Sequence, residues 1–451
     1  MIFRNAITDL AKWFHNTSAR KPLIIRGARQ IGKSTLIRMF AKSENIKLLE
    51  YNLELEKKYE RYFNNLQVEK IISDIEIDQN VQLNSTQKIL IFFDEIQSIP
   101  KALHCLRYFY EKHPHIAIVC AGSLLEFVLE SADFSMPVGR VDYYFLGPIR
   151  FSEFLAKENP KLYSKWKEIQ IRETLPSLHE QLTKSFYRYL SFGGMPEALM
   201  RCLEKNYSAA EQSLRSIIYN YKNDFNKYRK MIPQERLEKI FEYAGTNLGR
   251  KIKYSNISSD IQSRELKKAI GLLAKAQVLG LIYNSNCSGI PIASQKDENT
   301  YKFLFLDVGL HILMSGLGGQ TLERILENEN SEANLIISGT IHEQFIGQHL
   351  LYAKTNVEPE LYYWLREGKS NNAEVDFVLQ HGTKIIPIEV KSGKTGSLKS
   401  LTQFVMDKKT DQAVKFSSNP AQKIMVDYRN AKFTLIQLPH YLIERVLEFI
   451  E

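Results

Sequence analysis

One short stretch near the start of the chain limits the possible folds more than any other feature. Residues Gly27 to Ser34 read GARQIGKS and satisfy the pattern G-x-x-x-x-G-K-S/T. An apolar stretch, PLII, precedes them, and a helical stretch, TLIRMFAKS, follows. Glycines let a backbone wrap around phosphate, with N–H groups and the positive end of the next helix turned inward. The strand–loop–helix context therefore predicts a phosphate-binding loop.

The residues of this loop have distinct predicted roles toward a nucleotide. Lys33 is expected to reach the β- and γ-phosphates of ATP, and the Ser34 hydroxyl is expected to ligate Mg²⁺. ATP and Mg²⁺ are therefore the predicted cofactors. The residues predicted to bind the nucleotide are Gly27, Ala28, Arg29, Gln30, Ile31, Gly32, Lys33, Ser34 and Thr35.

Two acids follow an apolar run further along the chain. The run from Ile89 to Phe93 is unbroken, and Asp94 and Glu95 come directly after it. Functional residues collect at the carboxyl ends of parallel strands, which places these acids beside the phosphate loop. Asp94 is predicted to hold the metal through its water shell, and Glu95 to polarise the attacking water as general base. Without the loop, an Asp-Glu pair would more often be an ordinary strand end.

Apolar strands alternate with helical stretches through the first 150 residues. The apolar segments read PLII, KLLEYNLEL, KILIFFD and HIAIVC. This alternation predicts a parallel sheet that is covered on both faces. Ser123 follows the last of these segments, in CAGS. Its hydroxyl could bond the γ-phosphate or the attacking water, or it could simply cap a helix.

Several motifs are spread over residues 27 to about 394, and they read GARQIGKST, FFDEIQ, AGS, PVGRVDYYFLGPIRFSEFL, FGGMPEA and AEVDFVL…IPIEVKSGK. Together they resemble a prokaryotic family of AAA-type ATPases that carry a C-terminal domain of uncertain function. The resemblance implies that Ser123 senses the γ-phosphate. It also makes Arg140 a candidate for the arginine that completes a neighbouring subunit's site in a ring, the alternative being a structural salt bridge. Arg150 and Arg188 are weak candidates for the cation sensor of the lid.

The segment after the nucleotide-binding region changes character twice. Residues 151–230 are helical except at FGGMP, 192–196, where two glycines and a proline predict a turn. Residues 231–330 give three short helical stretches and then two strands, which suggests a winged helix. Basic residues on its last helix could read DNA or form a solvated face; these are Lys267, Lys268 and Lys275.

The last 120 residues or so form a predicted unit of their own, with the element order αβββαβ. Asp376 lies in the strand AEVDFVL, and Glu389 and Lys391 lie in the strand IPIEVK. Alternation along a strand puts Glu389 and Lys391 on one face. The pattern matches restriction-endonuclease-like nucleases, in which a preceding helix also supplies an acid, here Glu343. Carboxylates would bind one or two Mg²⁺ ions, and the lysine would assist a metal-bound water.

Two readings of this unit stay open. The side chains for cleavage are all present, but such domains also serve as inactive binding or packing modules, since fold does not fix function. Gln403, one turn into the following helix, could support the site or only pack. As a bare pattern the spacing of Asp376, Glu389 and Lys391 is weak, because charged and apolar residues alternate on many strands.

Composition limits the cell compartment and the partners that we expect for the protein. The chain has no apolar run of eighteen residues and no signal-like start, so we expect a cytoplasmic protein without a membrane partner. Sixty basic against 51 acidic residues fit a nucleic-acid partner only weakly. The four cysteines have no paired spacing, which argues against disulfides and zinc and predicts buried or idle thiols.

Taken together, the sequence predicts an α/β chain of four domains acting as an oligomer on nucleic acid. The alternatives are a nucleotide-dependent switch or scaffold whose C-terminal domain cuts nothing, and a protein remodeller that does not bind nucleic acid. The predicted domains are an AAA-type P-loop NTPase sheet at 1–150, a helical lid at 151–230, a winged-helix-like domain at 231–330 and a restriction-endonuclease-like α/β domain at 331–451.

Overall fold

The protein is described by a computed structural model. The described residues are 1–64, 66–83, 87–122, 139–171, 175–228, 232–327, 332–367, 372–394, 396–428 and 431–450. Within these ranges, no helix is long and apolar enough to cross a membrane. All four cysteines are buried free thiols, which confirms the prediction made for them.

Five parallel strands form the sheet of the nucleotide-binding region, in the order β2-β3-β4-β1-β5. The predicted parallel α/β sheet is therefore confirmed. Alternate residues of β1 contribute to different cores, Ile24 to one and Ile25 to the other, so the sheet is buried on both faces. The strands are β1 Leu23–Arg26, β2 Lys47–Asn52, β3 Ile89–Asp94, β4 Ala117–Ala121 and β5 Asp142–Phe145.

Helices follow these strands and continue into the segment after β5. The predicted turn at FGGMP is present, because one helix ends at Phe192 and the next begins at Pro196. Gly193 has a φ of +71°, a left-handed conformation that glycine adopts without strain. The helices are α1 Ala6–His15, α2 Lys33–Ser43, α3 Val68–Gln79, α4 Pro100–Lys112, α5 Phe151–Glu158, α6 Pro160–Glu168, α7 Pro176–Phe192, α8 Pro196–Leu203 and α9 Tyr207–Asp224.

The middle segment contains three helices and then an antiparallel hairpin, the order that the sequence predicted. The hairpin does not stand alone, because β6 also pairs in parallel with β8 of the C-terminal segment. One eight-stranded sheet therefore crosses the predicted boundary between residues 330 and 331. The elements are α10 Gln234–Thr246, α11 Tyr254–Ile257, α12 Ser263–Lys275, β6 Leu279–Ser285 and β7 Lys296–Phe305.

The eight-stranded sheet has the order β12-β13-β11-β10-β9-β8-β6-β7. Two of its strands, β11 and β12, were absent from the predicted αβββαβ order. The prediction missed β12 because most of it is exposed, and Gln, Lys and Asp flank a short apolar run. The remaining elements are α13 Val308–Met314, α14 Gly319–Glu327, α15 Glu332–Leu351, β8 Leu361–Arg366, β9 Ala373–His381, β10 Lys384–Val390, α16 Lys399–Lys408, β11 Gln412–Ser417, β12 Gln422–Tyr428 and β13 Ala431–Pro439.

Candidate functional site

The phosphate loop connects β1 to α2 and depends on glycine at two positions. Gly27 has a φ of +155°, and a Cβ there would lie 2.4 Å from the Cδ1 atom of Ile31 and 2.5 Å from the carbonyl oxygen of Leu146. Gly32 has a φ of +89° and is the N-cap residue directly before α2. The positive end of α2 therefore faces the loop, which favours an anion there.

Lys33 lies across the loop that contains it. Its side chain is buried, and Nζ donates to the carbonyl oxygens of Gly27 at 2.8 Å and Ala28 at 2.9 Å. These two bonds hold a positive charge at the mouth of the loop. That position is the one a lysine needs to contact phosphates bound by the loop backbone.

Ser34 and Asp94 are 60 residues apart in sequence but in direct contact. The Ser34 hydroxyl donates to Oδ2 of Asp94 at 2.7 Å, and the Glu95 amide donates to Oδ1 at 3.1 Å. Burial raises the pKa of Asp94. A hydroxyl and a carboxylate at this separation can share one Mg²⁺ ion, directly or through its water, so the residues present fit the metal.

Glu95 is held by a neighbour that the sequence analysis did not single out. Gln97 donates from Nε2 to Oε2 of Glu95 at 2.6 Å. Glu95 itself has a φ of +50°, which is unusual outside glycine and directs the chain sharply away from β3. Gln97 is buried, so its amide has few other positions available. The carboxylate predicted to polarise water is therefore fixed in direction.

The loop is also held from outside the sheet, by the end of α9. The Tyr221 hydroxyl donates to the carbonyl oxygen of Arg29 at 2.9 Å, and the Arg29 guanidinium pairs with Asp224. Burial lowers the pKa of Arg29, but the hydrogen bond and charge of Asp224 outweigh it and the net shift is upward. Sequence reasoning missed both α9 residues, because nothing in their local pattern indicates a contact almost 200 positions away.

A cavity of about 370 Å³ opens beside the loop at Gly32 and Thr35. Arg4 closes one side, donating to the carbonyl oxygens of Ile31 at 3.2 Å and Gly147 at 2.8 Å. Flat apolar ligands suit a cavity with walls of this kind. Its apolar lining includes Ile2, Leu36, Met39, Ile149, Pro196 and Met200.

Each of the three arginines predicted as a finger or a sensor has a partner in the structure. Arg140 donates to Oε1 of Glu111 at 3.0 Å and remains partly exposed. Arg150 donates to the carbonyl oxygen of Tyr352, and Arg188 pairs with Glu158. Ser123 lies outside the described residues.

The C-terminal residues predicted from the sequence do converge. Ile388 on β10 pairs with Phe377 on β9, so Glu389 and Asp376 lie on neighbouring strands. Asp376 accepts from the Val390 amide at 2.7 Å, and Lys391 pairs with Glu389.

Glu343 on α15 approaches the same group of residues. Its Oε1 atom lies 3.3 Å from Nζ of Lys302, a buried residue that the sequence analysis did not single out. Lys302 also pairs with Glu374. The acidic cluster therefore consists of Glu343, Glu374, Asp376 and Glu389, with Lys302 and Lys391.

Electrostatics in the acidic cluster favour a cation. Burial, followed by the charge of Asp376, raises the pKa of Glu389 to about 8. Burial likewise raises the pKa of Glu343 to about 7, although Lys302 lowers it. The Oε2 atom of Glu389 is buried without a hydrogen-bond partner. Within the described parts of the chain, however, no three acidic, histidine or cysteine side chains are arranged to hold a metal.

Gln403, which could have supported the C-terminal site, makes a hydrogen bond along its own helix. It is on α16, and its Nε2 atom donates to Asp407 at 2.9 Å. Lys267, one of the basic residues of the middle segment, donates to Asn299 at 2.9 Å.

The sheet, the glycine loop and the contact between Ser34 and Asp94 fit a nucleotide-binding domain of the P-loop class. Residues 19–155 match a family described as an AAA domain. Residues 183–321 and 338–441 match two families, each described as a domain of unknown function, DUF8612 and DUF4143.

Comparison with whole proteins adds little to these matches. The chain is similar to a solved structure titled "Structure of C. elegans PCH-2", with 14% identity and a TM-score of 0.26, over 48% of this chain and 70% of that chain. A search of curated proteins gives no match.

Proposed function

We propose that the protein binds ATP with Mg²⁺ at Gly27–Thr35 and hydrolyses it. The contact of 2.7 Å between Ser34 and Asp94 carries the proposal, because it joins the phosphate loop to the acids after β3. In this proposal the loop amides and Lys33 bind the phosphates, and the cavity at Gly32 and Thr35 accepts the base.

Hydrolysis in this site depends on positioning. Bound Mg²⁺ would neutralise negative charge that develops on the phosphates. Ser34 and Asp94 are the residues placed to hold it. Glu95 orients and deprotonates the attacking water, and Gln97 fixes the direction of that carboxylate.

Paired variants test this assignment. Glu95→Gln is expected to bind ATP as the parent does while turnover falls at least 100-fold, because the base is lost and the phosphate contacts remain. Lys33→Ala is expected to lose ATP affinity. Lys42→Ala, at the exposed far end of the same helix, is the matched control. Full turnover by Glu95→Gln would contradict the assigned base.

We propose further that the protein works as a homo-oligomeric ring in which Arg140 reaches the neighbouring ATP site. Its partial exposure supports this, since a side chain on the surface can leave Glu111 for a phosphate. Ser123 would sense the γ-phosphate of the nucleotide bound at Gly27–Thr35 of its own subunit.

Arg107 provides a matched control for Arg140, because both guanidinium groups donate to Oε1 of Glu111 at 3.0 Å. Light scattering would follow assembly on addition of a non-hydrolysable ATP analogue. Arg140→Ala is expected to lose turnover at every concentration, whereas Arg107→Ala retains it. Equal turnover in the two variants would leave Arg140 with a salt bridge only.

For the C-terminal segment we propose a nuclease-like site that acts on nucleic acid. The convergence of Asp376, Glu389 and Lys391 supports it, as does the unpartnered Oε2 atom of Glu389, which suits a divalent cation. Bound metal would supply the activated water, while Lys391 stabilises charge on the phosphate. The winged-helix-like assignment of 231–330 belongs to the same proposal.

The competing function is a nucleotide-dependent switch or scaffold that does not cut. The lysine partners of these acids favour it, because salt bridges also stabilise carboxylates in inactive domains. DNA and RNA incubated with Mn²⁺ separate the two. Cleavage that Asp376→Ala abolishes and Glu95→Gln retains supports the nuclease, and substrates left intact in every form support the scaffold.

A further inference from the structure

The acidic cluster includes a buried lysine, Lys302, which lies 41 residues before Glu343 in the sequence. Lys302 lies on β7 and its side chain is 1% exposed. Its Nζ atom passes over the ring of Tyr363 on β8, 4.9 Å from the centroid, and pairs with Glu374 on β9. The same atom is 3.3 Å from Oε1 of Glu343 on α15. A buried ammonium persists only where its charge is paired, so this position is fixed by carboxylates.

We propose that Lys302 occupies the place of a second cation in the acidic cluster, so that the site takes one divalent ion, on Asp376 and Glu389. Glu343 then serves as the partner of Lys302 and is not a metal ligand. This inference rests on the proposed metal site of the C-terminal segment, and it specifies the stoichiometry and ligands of that site.

The contacts divide the cluster into two halves. Lys302 pairs with Glu343 and Glu374, and Lys391 pairs with Glu389 beside Asp376. Only the second half has a buried oxygen without a partner, the Oε2 atom of Glu389. Since Glu389 is 5% exposed, solvent does little to satisfy that oxygen, and a cation is the group it lacks.

Lys302 engages one oxygen of Glu343 directly, since its Nζ atom donates to Oε1 at 3.3 Å. Gly249 lies close to the other oxygen, because a Cβ at that glycine would lie 2.9 Å from Oε2. A divalent ion at Glu343 would therefore have to displace the ammonium of Lys302, and the described side chains include no three-ligand group.

Manganese binding tests the proposal without reference to cleavage. Calorimetry would titrate Mn²⁺ into the full chain without nucleotide, in an Asp94→Asn background that removes the carboxylate ligand of the ATP site and leaves only the Ser34 hydroxyl there. The background protein is expected to bind one ion. Lys302→Met is expected to bind two, because Glu343 and Glu374 become available. Lys296→Met, on the same strand but paired with Glu360, is the control and should bind one.

Glu343→Gln provides a second measurement if Lys302→Met does not fold. Because it keeps Lys302 paired with Glu374, it should still bind one ion, with a dissociation constant within about twofold of the background. A tenfold weaker Mn²⁺ affinity in Glu343→Gln, or one ion of unchanged affinity in folded Lys302→Met, would overturn the role of Lys302. Absence of Mn²⁺ binding in the background protein would instead overturn the proposed metal site itself.

Discussion

Removal of the Asp307 carboxylate should weaken the contact between the turn at 193–196 and α15. Asp307 is fully buried between β7 and α13. Its Oδ1 atom accepts from the amides of Gly309 at 2.9 Å and Leu310 at 3.4 Å, which caps α13. Its Oδ2 atom accepts from the Gly194 amide at 2.7 Å and from Gln348 at 3.3 Å. One carboxylate thus joins the turn of the helical segment to α15.

The substitution Asp307→Asn replaces one of these acceptor oxygens by a donor. If the remaining oxygen keeps the cap of α13, the new NH₂ group faces the amide of Gly194. Gln348 can turn its oxygen toward the new group only by losing the Val308 amide, which donates to Oε1 at 3.0 Å, and Gly194 cannot adapt at all. A lost bond to a charged group costs about 1.5–3 kcal/mol, and the buried N–H left without an acceptor costs about 1–3 kcal/mol. We expect about 4 kcal/mol in total.

Hydrogen exchange measures this effect where it arises. At pH 8, a loss of about 4 kcal/mol would speed exchange of the Gly194 amide roughly 1000-fold, if opening of the turn limits exchange. Asp297→Asn is the control, because Asp297 also accepts from a backbone amide, that of Asn299 at 2.9 Å, but on the exposed end of β7. Acceleration of less than tenfold at Gly194 would refute the proposed role of the carboxylate.

Three further predictions concern the nucleotide site and the core. Tyr221→Phe removes one bond to the loop, worth about 1 kcal/mol, and should weaken ATP binding about fivefold in equilibrium titrations, while exposed Tyr219→Phe has no effect. Gln97→Ala should lower kcat about tenfold at unchanged ATP affinity, because Glu95 loses its direction but the phosphate contacts remain; a change in affinity alone would contradict this. Burial lowers the pKa of three histidines below the unfolded value, so the unfolded chain binds more protons as pH falls below about 6.5, and by pH 5 each should cost about 2 kcal/mol of stability. The raised pKa values of Glu343 and Glu389 act in the opposite direction over this pH range, so thermal denaturation between pH 7.5 and 5 tests each histidine as the difference between the parent and a variant with glutamine in its place; a difference that does not change with pH would contradict the prediction. These residues are His311, with a pKa of about 4, His342, about 4, and His349, about 3.

The nucleotide site could be predicted because its information is local. The glycine loop fixes its own conformation, and an unbroken apolar run ending in two acids implies a buried parallel strand with its carboxyl end at the loop. The contact of Ser34 with Asp94 then follows from sheet geometry. The same reasoning brought Asp376 and Glu389 onto neighbouring strands.

Contacts between segments could not be predicted in this way. Tyr221 and Asp224 are ordinary polar residues of a helix until α9 is placed against the loop. Lys302 did carry a local signal, since it interrupts the apolar stretch YKFLFL, and a charge within a buried strand requires a partner. The pairing of β6 with β8 had no local signal, because nothing in the sequence of either strand indicates which strand lies beside it.

A continuous series of contacts connects the ATP site to the acidic cluster, and it begins at the turn at 193–196. A Cβ at Gly32 would lie 3.6 Å from Cγ of Pro196, so the turn at 193–196 packs directly on the phosphate loop. Asp307 binds that turn through Gly194 and binds α15 through Gln348.

Helix α15 is in turn fixed to β7. Gln344 exchanges two hydrogen bonds with the backbone of Phe305, at 2.9 and 2.8 Å, and Glu343 beside it contacts Lys302 of the same strand. Close-packed interiors transmit displacement because they have no free volume to absorb it. A movement of the turn relative to the loop must therefore either break the bonds of Asp307 or displace α15, and with it the carboxylate that holds Lys302. Which of the two occurs can be measured, since displacement of α15 would make Mn²⁺ affinity at Asp376 and Glu389 depend on ATP, and Asp307→Asn would abolish that dependence.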